Sequence, residues 1–104
     1  MKTSFINPKL ETYLFSLEKA TIAKIVRMTQ LLEAFGNKLD MPYSKQLGRN
    51  FYELRIRGSQ EVRIFYCFHQ NKAIFVHAFL KKSQKTPAKE IEIALTRIKA
   101  LTSK

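Results

Sequence analysis

The sequence predicts a small α+β domain with the element order helix, helix, three strands, helix. Two observations lead to this prediction. Apolar residues recur with helical spacing near both ends of the chain, and three segments rich in aromatic and β-branched residues follow one another in the middle. The 104 residues have the length of one domain, so we predict a single domain over residues 1–104. Every predicted element has an apolar face, and these faces can share one core.

The first two helices are predicted to form a helical hairpin over residues 8–18 and 20–36. Asn7-Pro8 has the form of an N-cap followed by proline at the first helical position. Gly36 is placed to end the second helix. The apolar stripe of the first helix has the spacing i, i+3, i+4, i+7 and consists of Leu10, Tyr13, Leu14 and Leu17.

The middle of the chain is predicted to form an antiparallel sheet of three strands, Phe51–Arg57, Glu61–Phe68 and Ala73–Leu80. Short polar segments between the strands suit hairpin turns. Residues 37–50 contain Pro, Gly, Asn and Asp, and we predict a loop there. Lys2–Ile6 is either a fourth, short edge strand or a tail, because its periodicity does not decide between the two.

The last helix is predicted to follow a basic connector at residues 81–85. Thr86-Pro87 repeats the pattern of a cap followed by proline. One face of this helix is apolar, so we expect it to pack on the sheet; its members are Ile91, Ala94, Leu95, Ile98 and Leu101.

The composition favours a polyanionic partner. Nineteen Lys+Arg against eight Asp+Glu give a net charge of +11, which favours binding to nucleic acid, an anionic membrane surface or an acidic protein. The lone cysteine, Cys67, excludes an internal disulfide, and with two histidines it argues against structural zinc. We therefore predict no metal and no cofactor. No apolar run is long enough for a membrane span and no signal peptide is visible, so we expect a cytoplasmic protein without membrane contact.

The positive charge is concentrated around the predicted sheet. Residues 38–89 hold eleven Lys+Arg and three acids, a net charge of +8. Alternation along the first strand places Glu53, Arg55 and Arg57 on one face. This face is either an ordinary solvated surface or a guanidinium cluster for phosphate, because the planar fork of arginine can bind phosphate oxygens in pairs.

Arg63 is the most informative single residue, because its strand neighbours are largely apolar. A charge partly removed from water needs an anionic partner. That partner is either a phosphate or an internal carboxylate, Glu53 or Glu61, and the sequence leaves both open. Lys81, Lys82 and Lys85 are likewise either solvated surface or the rim of a phosphate-binding cleft.

Two further residues have chemistry of their own. His77, in a strand with phenylalanines on its face, suits a partly buried structural role, although a histidine there could also transfer protons near neutral pH. Cys67 suits strand packing better than nucleophilic attack. The chain contains no glycine-rich phosphate loop and no acidic cluster for a divalent ion. If it cleaves nucleic acid, metal-free cleavage of RNA is favoured, since the 2′-hydroxyl is an internal nucleophile.

Several segments together resemble the RelE/HigB toxins, and most closely their phage-derived, HigB-like branch. The resemblance extends from about residue 8 to residue 101 and depends on Met41–Leu47, Phe51–Arg55, Val62–Tyr66 and His77–Pro87. It implies a RelE-like α+β fold and a type II toxin that cleaves messenger RNA on the ribosome without a metal. It also implies three partners: the ribosome, its mRNA, and an antitoxin, typically a helix-turn-helix protein like HigA.

The resemblance implies site residues as well. Arg55, Arg57, Arg63 and Lys82 would be catalytic, with His77 an acid–base candidate if its ring reaches the cleft. Residues expected to contact RNA are Lys45, Arg49, Lys81 and Lys85. Glu53 stands where some RelE proteins have lysine, and the tyrosine near their last helix has no counterpart at Thr86-Pro87-Ala88. Two alternatives therefore stay open: a gyrase poison like ParE on the same scaffold, and a non-catalytic RNA-binding module.

Overall fold

The computed structural model describes residues 1–103 and contains three α-helices and a five-stranded mixed sheet. The helices are α1 (Pro8–Phe15), α2 (Lys19–Phe35) and α3 (Ala88–Thr102). The strands are β1 (Lys2–Phe5), β2 (Ser44–Gly48), β3 (Phe51–Ile56), β4 (Val62–His69) and β5 (Lys72–Leu80). The predicted α+β class is confirmed. None of the helices described for residues 1–103 is long and apolar enough to cross a membrane.

The sheet has the strand order β1-β5-β4-β3-β2. Neighbouring strands are antiparallel except β1 and β5, which are parallel. The predicted antiparallel order of three strands is found in β3, β4 and β5, but the predicted strand number is too low, because β1 and β2 extend the sheet and the parallel strand β1 makes it mixed. The three predicted strands themselves are present, with no end shifted by more than one residue.

The N-terminal segment, left open between strand and tail, is the edge strand β1. Its residues pair with Lys72–Phe75 of β5, and Ile6 N–H donates to the Phe75 carbonyl at 2.9 Å. The rings of Phe5 and Phe75 meet edge to face with centroids 5.5 Å apart. The Thr3 hydroxyl donates to the Glu33 carboxylate at 2.8 Å, which joins the strand to α2.

The strand β2 lies in the segment that was predicted to be a loop, residues 37–50. Four of its five residues are exposed, and β2 is at the edge of the sheet. A bulge after Gln46 also interrupts its pairing with β3. Its sequence consequently lacks the apolar alternation of a half-buried strand. The turn into β3 ends at Asn50, whose φ is +51°.

The predicted helical hairpin has different bounds in the structure. The first helix ends at Phe15, three residues before the predicted end, while Asn7 caps its start by accepting a hydrogen bond from Leu10 N–H at 2.9 Å. Gly36 follows α2 with φ +57°, a value that favours glycine. The predicted cap at Thr86 is wrong, because α3 begins at Ala88 after Pro87 and no side chain caps it.

Helices cover the two faces of the sheet. The face that packs on α1 and α2 buries the larger cluster, which includes Leu14, Leu32, Leu54, Ile64 and Tyr66. The opposite face packs on α3 through a smaller cluster that includes Phe65, Cys67, Val76, Phe79 and Ala94. The sheet face that packs on α3 continues onto β3 and β2. Because α3 contacts β4 and β5, this part of the face lies beyond the edge of the helix. The charged residues of β3 project there.

One buried polar contact joins β2 to the core. Ser44 Oγ lies 2.6 Å from the hydroxyl of Tyr66, and burial raises the pKa of that phenol to about 12.

Ser44→Ala should lower the free energy of unfolding in urea by about 1–3 kcal/mol, because the tyrosine hydroxyl is left without a partner. The double variant Ser44→Ala/Tyr66→Phe should recover part of this loss. Ser59→Ala is the control, since its hydroxyl bonds Glu18 at the surface. An unchanged stability of Ser44→Ala would contradict this account.

Candidate nucleic-acid interface

The charged side chains of β3 and β4 share one face of the sheet. Arg55 stands directly opposite Arg63, and Glu53 stands opposite Phe65. Residues opposite each other on antiparallel strands project to the same side. Glu53, Arg55 and Arg63 therefore lie next to one another on the face that α3 partly covers.

Five residues form what we call the arginine–glutamate cluster: Glu53, Arg55, Arg57, Glu61 and Arg63. Arg55 Nε donates to Glu53 Oε1 at 3.0 Å, and Arg63 Nη1 donates to Glu61 Oε2 at 3.2 Å. Two longer ion pairs of 3.9 Å join Arg63 Nε to Glu53 and Arg57 Nη1 to Glu61. The three arginines and two glutamates alternate in space, so the cluster has a net charge of +1.

Burial within the cluster is graded. The side chains of Glu53 and Arg63 are only 4% and 5% exposed, that of Arg55 is 18% exposed and that of Arg57 is 59% exposed. Buried charges need partners because removal from water is costly. Of the two interpretations of Arg63 from the sequence, the structure shows the internal one, and both carboxylates take part. Arg63 Nε makes no hydrogen bond to any residue from 1 to 103.

Glu53 also orients the guanidinium of Arg55. The one side-chain hydrogen bond that Arg55 makes in the described part of the chain uses Nε. Its two terminal amino groups are thus left as the available donors, in the geometry that binds two oxygens of a phosphate or carboxylate. A buried carboxylate at Nε holds this fork in place without using it.

The basic connector begins beside the cluster. Lys81 N–H donates to the Glu61 carbonyl at 2.7 Å, which fixes residues 81–85 at the Glu61 end of the sheet. Lys81 Nζ donates to the carbonyls of Ser83 and Gln84, at 2.8 Å and 2.7 Å, so this ammonium holds the connector together. Lys82 and Lys85 are exposed. These two lysines are the ones that can reach an external ligand.

The other predicted RNA-contacting residues lie at different distances from the arginine–glutamate cluster. Lys45 stands opposite Glu53 on β2 and is exposed, so it borders the cluster. Arg49 lies in the turn before β3, six residues from Arg55. A strand rises about 3.3 Å per residue, which separates the two by about 20 Å. The structure therefore brings Lys45 to the cluster and leaves Arg49 at the far end of β3.

His77 belongs to a separate group of side chains. Its Nε2 lies 2.6 Å from Glu90 Oε1 at the start of α3, and its ring stacks on Phe79 at 6.1 Å. Phe65 stands between His77 and Glu53 across the strands. A cavity of about 260 Å³ adjoins the histidine and is lined by Asn7, Lys9, Leu10, Tyr13, Ala78 and Arg97. The ring thus points to this cavity and to α3 rather than to the arginines.

Cys67 packs inside the sheet. It is fully buried, and burial raises the pKa of its thiol to about 11. A thiol with so high a pKa has almost no thiolate near neutral pH and is a poor nucleophile. Over residues 1–103 there is no group of three or more His, Cys, Asp or Glu side chains that could hold a metal ion.

Sequence reasoning gave the role of one carboxylate only in part and missed that of another. Glu53 was placed on the strand face of Arg55 and named as one possible partner of Arg63, but its hydrogen bond to Arg55 was not predicted. Glu90 offered no signal, because its contact with His77 depends on where α3 packs. The identity of the Arg63 partners also required the register of β3 and β4.

The fold and the site together define a class of protein. It is a small, basic α+β protein in which arginines and carboxylates are interleaved on one sheet face. Residues 12–99 match the model of the family described as phage derived protein Gp49-like (DUF891), so the chain belongs to this family. The Gp49-like proteins belong to the RelE/HigB-like toxins of type II toxin–antitoxin systems. The chain is thus a toxin-like module, and its family suggests an antitoxin as partner. No curated protein matches the chain.

Proposed function

We propose that this protein is a HigB-like toxin, one domain over residues 1–104, that cleaves messenger RNA on the ribosome. The observation that carries the proposal is the pair of adjacent arginines, Arg55 and Arg63, oriented by the carboxylates of Glu53 and Glu61 on a sheet face flanked by exposed lysines. Family membership supports a toxin. Its cognate antitoxin is a helix-turn-helix protein like HigA, and both act in the cytoplasm.

In this proposal the arginines bind the scissile phosphate. The terminal amino groups of Arg55 and the guanidinium of Arg63 contact its non-bridging oxygens and neutralise the charge that develops when the 2′-hydroxyl attacks. Arg57 contributes after its carboxylate partner is displaced. Its ion pair with Glu61 is exposed and 3.9 Å long, and such pairs contribute little energy. Phosphate can therefore replace Glu61 at Arg57 at little cost, and as an anion it can also partner Arg63, which Glu61 contacts at 3.2 Å.

The lysines hold the flanking RNA. Lys82 and Lys85 of the connector and Lys45 on β2 border the cluster on two sides, so they can bind phosphates up- and downstream of the cut. In this proposal Lys82, which is exposed, eases departure of the 5′-oxygen. Lys81 stabilises the connector, Arg49 contacts ribosomal RNA at the far end of β3, and His77 positions α3 through Glu90.

Programmed ribosomes test this function directly. Purified, antitoxin-free protein is added to ribosomes stalled on a defined mRNA, and the 5′ ends are mapped by primer extension. We expect new ends inside the codon at the ribosomal A site, and none on the same mRNA without ribosomes. Intact mRNA on ribosomes, from protein shown to be folded, would contradict the proposal.

A non-catalytic RNA-binding module is the second candidate, and the cluster itself favours it. Two of the five cluster residues are acids that already neutralise most of the arginine charge. Binding of the protein to ribosomes or to free RNA, without any cut in the RNA, would support this candidate. Arrest of replication with intact mRNA would instead indicate a gyrase poison like ParE.

A further inference from the structure

Tyr52 on β3 presents one face of its ring to a cavity beside β2. The other ring face stacks on Tyr66, with centroids 5.2 Å apart and an angle of 17° between the ring planes. Tyr66 is the residue opposite Tyr52 on β4, and Gln46 is the residue opposite it on β2. The free ring face is therefore turned to β2, where a cavity of about 380 Å³ lies. The residues that line this cavity are Asn37, Lys38, Leu39, Asp40, Gln46 and Tyr52.

The cavity combines an apolar wall with free hydrogen-bonding groups. The half-buried side chains of Tyr52 and Leu39 supply the apolar wall. One carboxylate oxygen of Asp40 accepts from a backbone N–H at 2.7 Å, and the Gln46 amide donates to a backbone carbonyl at 3.0 Å. Over residues 1–103, the second carboxylate oxygen of Asp40 and the amide oxygen of Gln46 accept no hydrogen bond. The charges of Lys38 and Asp40 compensate each other, so the lining is neutral.

We propose that this cavity binds an unpaired nucleobase of single-stranded RNA, which stacks on the free face of Tyr52. Proteins bind unpaired bases by stacking them on aromatic rings and by hydrogen bonds to their polar edges. Lys38 at the rim can hold the adjoining phosphate, and the net charge of +11 favours a polyanion. An aromatic side chain of a protein partner matches less well, because phenylalanine, tyrosine and tryptophan carry at most one polar group each.

A second cavity of about 380 Å³ adjoins the first and shares Tyr52 and Asn37 with it. Phe68 and His69 extend the aromatic surface there, and the ring of Phe68 meets that of Tyr52 edge to face at 5.1 Å. The Asn50 side chain fixes Phe68, since it donates to the Phe68 carbonyl at 2.9 Å and accepts from its N–H at 2.8 Å. Successive bases stack on aromatic side chains of this kind in single-strand-binding proteins. The two cavities together offer places for two consecutive bases.

Base binding at Tyr52 would extend the RNA contact to both faces of the sheet. Tyr52 and Glu53 are consecutive on β3, so their side chains project to opposite faces. On β2, Gln46 pairs with Tyr52 and Lys45 pairs with Glu53, so the two faces meet at the exposed edge of β2. An RNA strand bound at the arginine–glutamate cluster can pass this edge and reach Tyr52. This path rests on the proposed function, whereas base binding itself does not, and the two can fail separately.

The test is an NMR titration of the whole chain with a trinucleotide of 2′-O-methyl RNA, which has no free 2′-hydroxyl and so cannot be cut by its attack. The second ligand is the same sugar–phosphate backbone without bases. We expect the wild type to bind the complete trinucleotide at least about tenfold more tightly, which corresponds to about 1.4 kcal/mol. The amide resonances of Leu39, Gln46 and Tyr52 should shift with the complete trinucleotide only.

Two variants should remove this preference for the complete trinucleotide. Tyr52→Leu keeps an apolar side chain against Tyr66 but lacks the aromatic ring, so the preference should fall below about twofold. Phe15→Leu, at an exposed position of α1, is the matched control and should keep the full preference. If Tyr52→Leu does not fold, the double variant Asn37→Ala/Gln46→Ala, at two exposed positions, decides the question. It should lower the preference about fivefold, while Gln30→Ala on α2 should not.

Three outcomes would overturn the proposal. Equal affinity of the wild type for the two ligands would show that only phosphates are bound. A full preference in folded Tyr52→Leu protein, or in the double variant, would show that bases are bound elsewhere. Base-dependent shifts confined to Arg55 and Arg63 would place the bases at the arginine–glutamate cluster. Thermal unfolding of each variant shows whether it is folded.

Discussion

Arg63→Ala is expected to lower the rate of mRNA cleavage on ribosomes by about 100-fold or more. Loss of one preorganised donor to a developing oxyanion typically costs a factor of 10²–10³. Arg63 is buried, held by Glu53 and Glu61, and adjacent to Arg55, so no mobile side chain can take its place. The measurement is single-turnover cleavage of mRNA on programmed ribosomes, followed by primer extension.

Two variants serve as controls for this result. Arg63→Lys keeps the positive charge but lacks the planar fork, so it should recover only a small part of the rate. Lys99→Ala removes an exposed cation from α3 and should cleave at the wild-type rate. Wild-type cleavage by folded Arg63→Ala protein would remove Arg63 from the site and would contradict the proposed phosphate contact.

Glu53→Gln is expected to lower the free energy of unfolding by about 3 kcal/mol, measured in urea with chloride as the only anion. Breaking a buried ion pair by removing one partner leaves an uncompensated charge in the interior. Here one carboxylate faces two arginines, at 3.0 Å and 3.9 Å, and both side chains are largely withdrawn from water. The glutamine is nearly isosteric, so the loss reports charge rather than packing.

Phosphate should partly restore the stability of Glu53→Gln. The variant presents two arginines without their shared carboxylate, and an anion that binds only the folded state stabilises it by mass action. We expect added phosphate to raise the melting temperature of Glu53→Gln more than that of the wild type. Glu92→Gln on the exposed side of α3 is the control and should respond like the wild type. An equal response of all three proteins would contradict an anion site at the arginines.

Much of the fold could be predicted because its elements carry local signals. The helical stripe from Leu10, the cap at Asn7 and the glycine after α2 are properties of a few neighbouring residues. The hairpin turn between the second and third predicted strands is another. In the structure it consists of Gln70-Asn71, whose φ values of 51° and 62° are positive, as a two-residue hairpin requires. β2 could not be predicted in this way, because a polar edge strand is defined by its partner β3 and not by its own pattern.

The site was predictable to a lesser degree. Alternation placed Glu53, Arg55 and Arg57 on one strand face, and charge counting located the basic surface on the sheet. The contact of Arg63 with Glu53, by contrast, depends on strand register, and the contact of His77 with Glu90 depends on helix packing. These two contacts join residues of different elements, so local periodicity carries no information about them.

The outer edge of β2 bears on how the protein behaves in concentrated solution. An edge strand presents unpaired backbone groups that can template aggregation with a second sheet. Two features of β2 oppose this: the strand is interrupted by a bulge after Gln46, and it carries the exposed charge of Lys45. Bulges and lysines are the devices with which natural sheets block such pairing. Lys45 therefore opposes self-association, in addition to bordering the arginines. Its removal would expose the longer of the two sheet edges.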